Sequence, residues 1–133
     1  MVVGIADTHA IIWYLYDDTR LSMSAGAFID HASEVGDHIG ISSITYVELV
    51  YLIEKGRIPV ETFSRLASII SSSASSFVEQ PIDVAIARTM ARIDVTQIPD
   101  MPDRIIAATA AHLNVPLISR DRRIQLSGLN TIW

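Results

Sequence analysis

Four acidic residues stand where a folded chain could use them together. Asp7 closes the apolar run Val2-Val3-Gly4-Ile5-Ala6, and Asp121 follows Leu117-Ile118-Ser119-Arg120. Each therefore comes just after a segment that reads as a buried strand. Asp103 sits behind Pro102 at the head of an alanine-rich helical stretch, and Glu48 is the only charged residue between His38 and Glu54. Strands buried on both faces belong to parallel sheets, whose ligands collect beyond the carboxyl ends of the strands. Asp7 and Asp121 are accordingly expected at one sheet edge, within reach of each other. On a helix Glu48 shares a face with Ile44, Tyr51 and Leu52. A carboxylate on an apolar face is costly unless it is paired or bound to a cation. If the four acids converge, an oxygen-only donor set points to Mg²⁺ or Mn²⁺ rather than zinc. Such an ion polarises a phosphodiester and supplies a hydroxide nucleophile at neutral pH. Thr8 is placed to hydrogen-bond a carboxylate or a water on that ion.

Every one of these residues also has an ordinary structural use. Asp7 or Thr8 can cap the helix that follows, and Asp121 and Asp103 stand at helix starts, where Asp100 can share the cap. Glu48 can instead reach solvent or an arginine from a helix edge. His9 reads as a packed or half-exposed helix residue rather than a ligand. Arg104, Arg120, Arg122 and Arg123 lie near three of the acids, either to hold nucleic-acid phosphates or to be solvated or paired with those acids. Trp13, Tyr14 and Tyr16 read as core and rim rather than as stacking platforms. No glycine-rich phosphate loop, His/Cys metal cluster or Ser–His–Asp grouping is present in the sequence.

The elements that must position these residues follow from periodicity and breakers. After the first strand, His9 to Tyr16 reads as a buried helix and Asp17-Asp18-Thr19-Arg20 as a surface turn. A second helix, capped by Ser22 or Ser24, puts Ala25, Phe28, Ile29 and Ala32 on one face. Gly36-Asp37-His38 is a turn before the strand Ile39 to Ser42, which runs into a helix from Ser43 to Lys55. Gly56 stops that helix as a left-handed cap. Pro59 opens a helix from Val60 to about Ile70. The serine-rich Ser71 to Ser76 is a frayed end and connector, and Phe77-Val78-Glu79 a weak strand. Pro81 starts a helix from Ile82 to Asp94. The two prolines of Ile98-Pro99-Asp100-Met101-Pro102 argue against regular structure there, so the next helix is expected to start at Asp103-Arg104 and end at Leu113. Val115 to Ile118 reads as a strand, Arg120 to Leu126 as a short turn or helix, and Asn130 to Trp133 as a last strand. Strands alternating with helices indicate a parallel α/β sandwich. With no internal repeat and no boundary, residues 1–133 are expected to form a single domain.

Composition narrows the class. Half of the 133 residues are hydrophobic and 19% are charged, a globular balance. With 0 cysteines there is neither a disulfide framework nor a thiolate site, and the first residues lack the pattern of a secretory signal. A cytoplasmic protein without membrane spans is the expectation. The net charge of -5 argues against tight sequence-independent nucleic-acid binding, unless carboxylates gathered around a divalent cation reverse the local sign.

The motifs, taken in order, resemble those of VapC-type toxins among the PIN-domain ribonucleases. Asp7-Thr8-His9-Ala10 leading to Trp13, then Asp17-Asp18-Thr19-Arg20-Leu21-Ser22, resembles the opening of that family. Ser42-Ser43 with Glu48 and Gly56-Arg57-Ile58 is similar to its second acidic motif, Pro102-Asp103-Arg104-Ile105-Ile106-Ala107-Ala108 to its third, and Ile118-Ser119-Arg120-Asp121 to its fourth. The closing Ile132-Trp133 is also shared with many members. The resemblance implies a three-layer α/β/α fold with a central parallel sheet and a Mg²⁺- or Mn²⁺-dependent endoribonuclease. It implies that Asp7, Glu48, Asp103 and Asp121 hold the ion, with Thr8 as the neighbouring hydroxyl, and that RNA is the substrate. It further implies a homodimer held inactive by a small antitoxin protein. One departure is visible: many members carry His or Arg ahead of the third motif, where this chain has Gln97-Ile98-Pro99. Two rivals belong to other classes. A phosphoacceptor signalling domain needs a lysine after a late strand, and the only lysine, Lys55, ends a helix. A non-catalytic binding module of the same fold is opposed by the intact acidic quartet.

Overall fold

Branched and aromatic side chains pack well on a pleated surface, so short apolar runs rich in Val and Ile tend to become strands. In the computed structural model, which describes residues 1–133, five such runs pair into one sheet. They are β1 (Val2–Ala6), β2 (His38–Ser42), β3 (Phe77–Gln80), β4 (Leu117–Ile118) and β5 (Thr131–Ile132). All neighbours run parallel, in the order β3-β2-β1-β4-β5. The connections carry α1 (Thr8–Leu15), α2 (Met23–Glu34), α3 (Ser43–Glu54), α4 (Thr62–Ser71), α5 (Val84–Met90), α6 (Met101–Leu113) and α7 (Arg122–Leu126).

From β1 the chain winds outward through β2 to β3, then returns to the other side of β1 as β4 and β5. The winding reverses between β1 and β4, and a crevice opens beyond the carboxyl ends of such a pair. Ile5 is in register with Leu117 and Ala6 with Ile118, and the Asp7 amide donates to the Ile118 carbonyl at 3.1 Å. The pleat sends alternate residues to opposite faces. Ile5 and Leu117 join Ile86 of α5, Ile106 and Ala107 of α6 and Ile124 of α7 in one buried cluster. Ala6 and Ile118 join Ile11 of α1, Ile29 of α2 and Leu66 of α4 in the other. Helices thus cover both faces, which is the three-layer α/β/α arrangement.

The structure moves several element ends relative to the sequence reading. α6 begins at Met101, not Asp103, and takes in Pro102, because the N–H that proline lacks has no partner in a first turn anyway. Asp100 caps it by accepting from the Asp103 amide at 3.0 Å. α5 is shorter than expected at both ends. Asp83 takes the cap, accepting from the Ile86 amide at 3.0 Å, and the helix ends at Met90. α4 starts at Thr62, whose amide and hydroxyl both bond the Pro59 carbonyl. Gly56 does adopt the left-handed conformation, at φ 67°, and Asn114 does the same at φ 54° to end α6. No helix is long and apolar enough to cross a membrane.

Arg104 explains where the chain goes after α5. Its Nη2 donates to the carbonyls of Met90 at 3.0 Å and Ile93 at 3.2 Å, fastening the residues beyond α5 to α6. Nη2 is thereby taken by the backbone, while Nε is buried without a hydrogen-bond partner. Replacing Arg104 by alanine leaves the half-buried Ile93 carbonyl without a partner, while the Met90 carbonyl keeps the Ile93 amide at 3.0 Å, at a cost of about 2 kcal/mol. Arg104→Ala is therefore expected to lower the melting temperature by several degrees. An unchanged melting temperature would show that these bonds contribute nothing.

Candidate active site

The first turns of helices supply unbonded N–H groups, and short acidic side chains just before them fill that need. Three acids reach the sheet edge this way. Asp7 accepts from the Ala10 amide at 2.8 Å and caps α1. Asp121 accepts from the amides of Arg123 at 2.8 Å and Ile124 at 3.3 Å and caps α7. Asp100 caps α6, with Asp103 in its first turn. In each cap the hydrogen bonds go to one carboxylate oxygen. Capping and a role in the cleft are therefore compatible, because the second oxygen lies outside the cap.

Glu48 arrives from α3, one residue type among Ile44, Thr45 and Leu49, which are buried. It is half-buried and accepts a hydrogen bond from the Thr8 hydroxyl, which also sits 3.1 Å from the hydroxyl of Thr45. Its helical face is less apolar than the sequence suggested, since Tyr51 is 56% exposed. Asp7, Thr8, Glu48, Asp103 and Asp121 all line one cleft of about 430 Å³, together with His9, Trp13, Arg20, Asp100 and Arg120.

Charge in this cleft is unbalanced. Five carboxylates line it, and none of them takes part in either ion pair of the chain, Met1–Asp37 or Arg20–Asp18. Burial pushes the Asp7 carboxyl above its usual range, while hydrogen bonds from the Ser119 hydroxyl and the Ala10 amide pull it back. Burial also raises Glu48, against the opposing effect of Thr8. Asp103 is pushed up to about 7 by burial first and then by the charges of Asp100, Asp121, Glu48 and Asp7. Carboxyls that resist ionisation for want of a counter-charge are what a divalent cation would relieve.

The donor set fits a hard cation: it is all oxygen, with no cysteine in the chain and His9 at the exposed rim. As the side chains stand, no group of three or more His, Cys, Asp or Glu is arranged to hold one ion. Mg²⁺ does not require such a cage, since it commonly takes one or two carboxylates and keeps several waters.

Several cleft residues had no signal strong enough to single them out. Asp100 was legible as a cap but not as a fifth cleft acid, although its spacing of three from Asp103 puts both on one helical turn. Thr45 lies three before Glu48 on the same helix, and Ser119 is the first residue beyond β4, so either could have been inferred from spacing. Arg20 comes from a remote turn and had no such cue. Tyr14 and Tyr16 stay outside the cleft, bonded to Asp30 at 2.7 Å and Thr62 at 2.8 Å. Lys55 lies over the Tyr51 ring rather than in the cleft, so a phosphoacceptor site would lack its lysine.

With this geometry in hand, comparisons with known proteins agree on one family. The family profile described as PIN domain matches residues 5–127. Ribonuclease VapC22 of Mycobacterium tuberculosis is 30% identical over 129 residues, covering 94% of this chain and 92% of that protein. The crystal structure of VapBC2 from Rickettsia felis bound to a promoter DNA fragment superposes with a TM-score of 0.71 at 16% identity, over 98% of this chain and 97% of that one. A toxin–antitoxin complex from Klebsiella pneumoniae gives 0.56 at 27% identity, over 89% and 86%.

The raised carboxyls make stability depend on pH in a defined direction. Between the ordinary carboxylate range near pH 4 and about 7, the value for Asp103, the folded state holds protons that the unfolded chain has released. Stability conferred by those protons is complete at the acid end and is lost as pH rises. In chelator, the melting temperature should fall from about pH 5 to about pH 7.5 through this linkage, and Mn²⁺ should restore it most at the upper end. A melting temperature that climbs across that interval in chelator would contradict the assignment.

Proposed function

This chain belongs to the PIN-domain family, and we propose that it is a divalent-cation-dependent endoribonuclease, the toxin of a toxin–antitoxin pair. The observation that carries the reading is the convergence of five unpaired carboxylates on one cleft at the reversal point of a parallel sheet. Support from relatives comes from Ribonuclease VapC22, a protein named as a ribonuclease, at 30% identity across nearly the whole of both chains.

In this reading residues 1–133 act as one domain in the cytoplasm, and Asp7, Glu48, Asp103 and Asp121 hold Mg²⁺ or Mn²⁺. When bound, the cation supplies Lewis-acid polarisation of a phosphodiester and a nucleophile active at neutral pH. The chain's own residues do the positioning. The α1 cap immobilises Asp7 and the α7 cap immobilises Asp121, so both present oxygens from fixed points of the sheet edge. Thr8 orients Glu48 through its hydroxyl, and Thr45 braces Thr8. Asp103, pushed up to about 7 by burial and its acidic neighbours, would be kept ionised by the charge of a bound cation. The scissile P–O bond is broken by in-line hydrolysis, and pre-organised groups of this kind need no rearrangement during reaction.

A small antitoxin protein and a second copy of the chain are the proposed partners. Support comes from the complexes among the structural relatives and from apolar side chains left exposed on α3 and α4. Val47, Val50 and Tyr51 are 61%, 44% and 56% exposed, and Phe63 is 37% exposed. Such surface commonly marks a protein interface.

Purified protein supplied with Mn²⁺ should cleave single-stranded RNA, with the activity abolished by chelator. Asp7→Asn and Asp103→Asn should each slow cleavage by roughly a hundredfold or more, the scale of losing one charge-positioning group. Thr8→Val, which keeps the shape and removes the hydroxyl, should cost about 10- to 100-fold. Undiminished cleavage by either asparagine variant would take these acids out of the site.

A further inference from the structure

Two guanidinium groups share the acidic cleft without neutralising it. Arg120 directly precedes Asp121 and lines the same hollow as all five carboxylates, yet it forms no ion pair. Its guanidinium lies instead 4.7 Å from the centre of the Trp13 ring. Arg20 approaches the same ring at 5.1 Å, and its Nε and Nη2 are spent on Asp18 at 3.0 and 2.7 Å. Trp13 is 6% exposed and packs edge-on against Trp133 at 5.8 Å, so it is a fixed surface rather than a mobile one. Arg120 is exposed, where pairing with a neighbouring carboxylate would stabilise it only weakly. The attraction of the ring for a cation offers it another resting place.

The acids have a second basic flank. Asp100, Asp103 and Asp121 also line an adjoining hollow of about 230 Å³, whose wall includes the exposed Arg123. Arg123 likewise has no ion pair. The acid strip therefore runs between two guanidiniums without ion pairs, one on the indole and one in the first turn of α7. A guanidinium offers a planar fork that matches phosphate oxygens two at a time.

We propose that single-stranded RNA crosses the cleft between Arg120 and Arg123, which grip the phosphates on either side of the one to be cut, and that Trp13 holds Arg120 away from the acids so that it is free to do so. This rests on the nuclease reading above and assigns the strand's path through that site. Phosphate contacts of this kind position the chain without reading its bases.

The test measures binding separately from turnover. Anisotropy of a labelled single-stranded RNA decamer is followed with the cleavage-impaired Asp103→Asn protein in Mg²⁺, over a series of salt concentrations. Adding Arg120→Ala or Arg123→Ala should each weaken binding roughly tenfold and flatten the slope of log affinity on log salt by about 0.7, the value for one phosphate contact on a single strand. Arg120→Lys, which keeps the charge but not the fork, should fall between. Arg88→Ala on α5, outside both hollows, should change nothing. In the otherwise wild-type enzyme, Arg120→Ala should raise KM about tenfold with kcat and melting temperature nearly unchanged, a split that a merely structural arginine would not produce. Unchanged affinity and slope for Arg120→Ala, in a protein that still cuts RNA, would overturn the path and leave the nuclease reading standing. Wild-type protein that neither binds nor cuts RNA would overturn both.

Discussion

Negative charge gathered in a half-dry cleft is the constraint that the rest of this structure answers. Five carboxylates within one hollow repel each other, and each loses hydration on being drawn in. The fold offsets part of this with backbone dipoles. Asp7, Asp100 and Asp121 each sit at a helix start, where N–H groups point at the acid and the helix end carries partial positive charge. What is left over shows in Asp7 and Glu48, whose carboxyls burial raises, and in Asp103, which has no cap of its own and is pushed up to about 7. Helix capping, the ordinary explanation for an aspartate after a strand, is thus the device that makes a cluster of such aspartates tolerable.

The same constraint accounts for the basic residues. Arginines that paired with the acids would remove the need for a cation and close the cleft to a phosphate. The chain spends them elsewhere: Arg104 on carbonyls at and just after the end of α5, Arg20 on Asp18, and Arg120 on the face of Trp13. Sheet topology supplies the meeting place, since the register of Ala6 with Ile118 sets Asp7 beside Ser119 and two residues from Asp121. Without that pairing the acids of the first and last motifs would have no common edge.

Much of this was legible in the letters, for reasons that differ by residue. Asp7 and Asp121 follow short apolar runs, and the continuous burial of Ile5, Ala6, Leu117 and Ile118 on both faces of the sheet is what such runs predict. Glu48 stood out because no other charge lies near it in a long apolar helix. Helix ends were less legible where chemistry competes locally. Pro102 looked like a breaker, yet a first turn tolerates proline, so α6 starts two residues early and carries Asp100 to the cleft with Asp103. Side-chain meetings between remote segments were not legible at all. Nothing in the turn from Asp17 to Arg20 announces that Arg20 will reach Trp13, because that contact depends on how two connections pack rather than on any spacing.

In the proposed reading these acids form one site for a hard divalent ion. Electron paramagnetic resonance of Mn²⁺ reads this most directly, because the free ion's signal is lost when it is bound. A saturable loss of free signal is expected with the wild-type protein, competed by Mg²⁺ and largely abolished in an Asp7→Asn/Asp103→Asn double variant. A free-ion signal that the wild-type protein leaves untouched, or binding undiminished in the double variant, would contradict that reading.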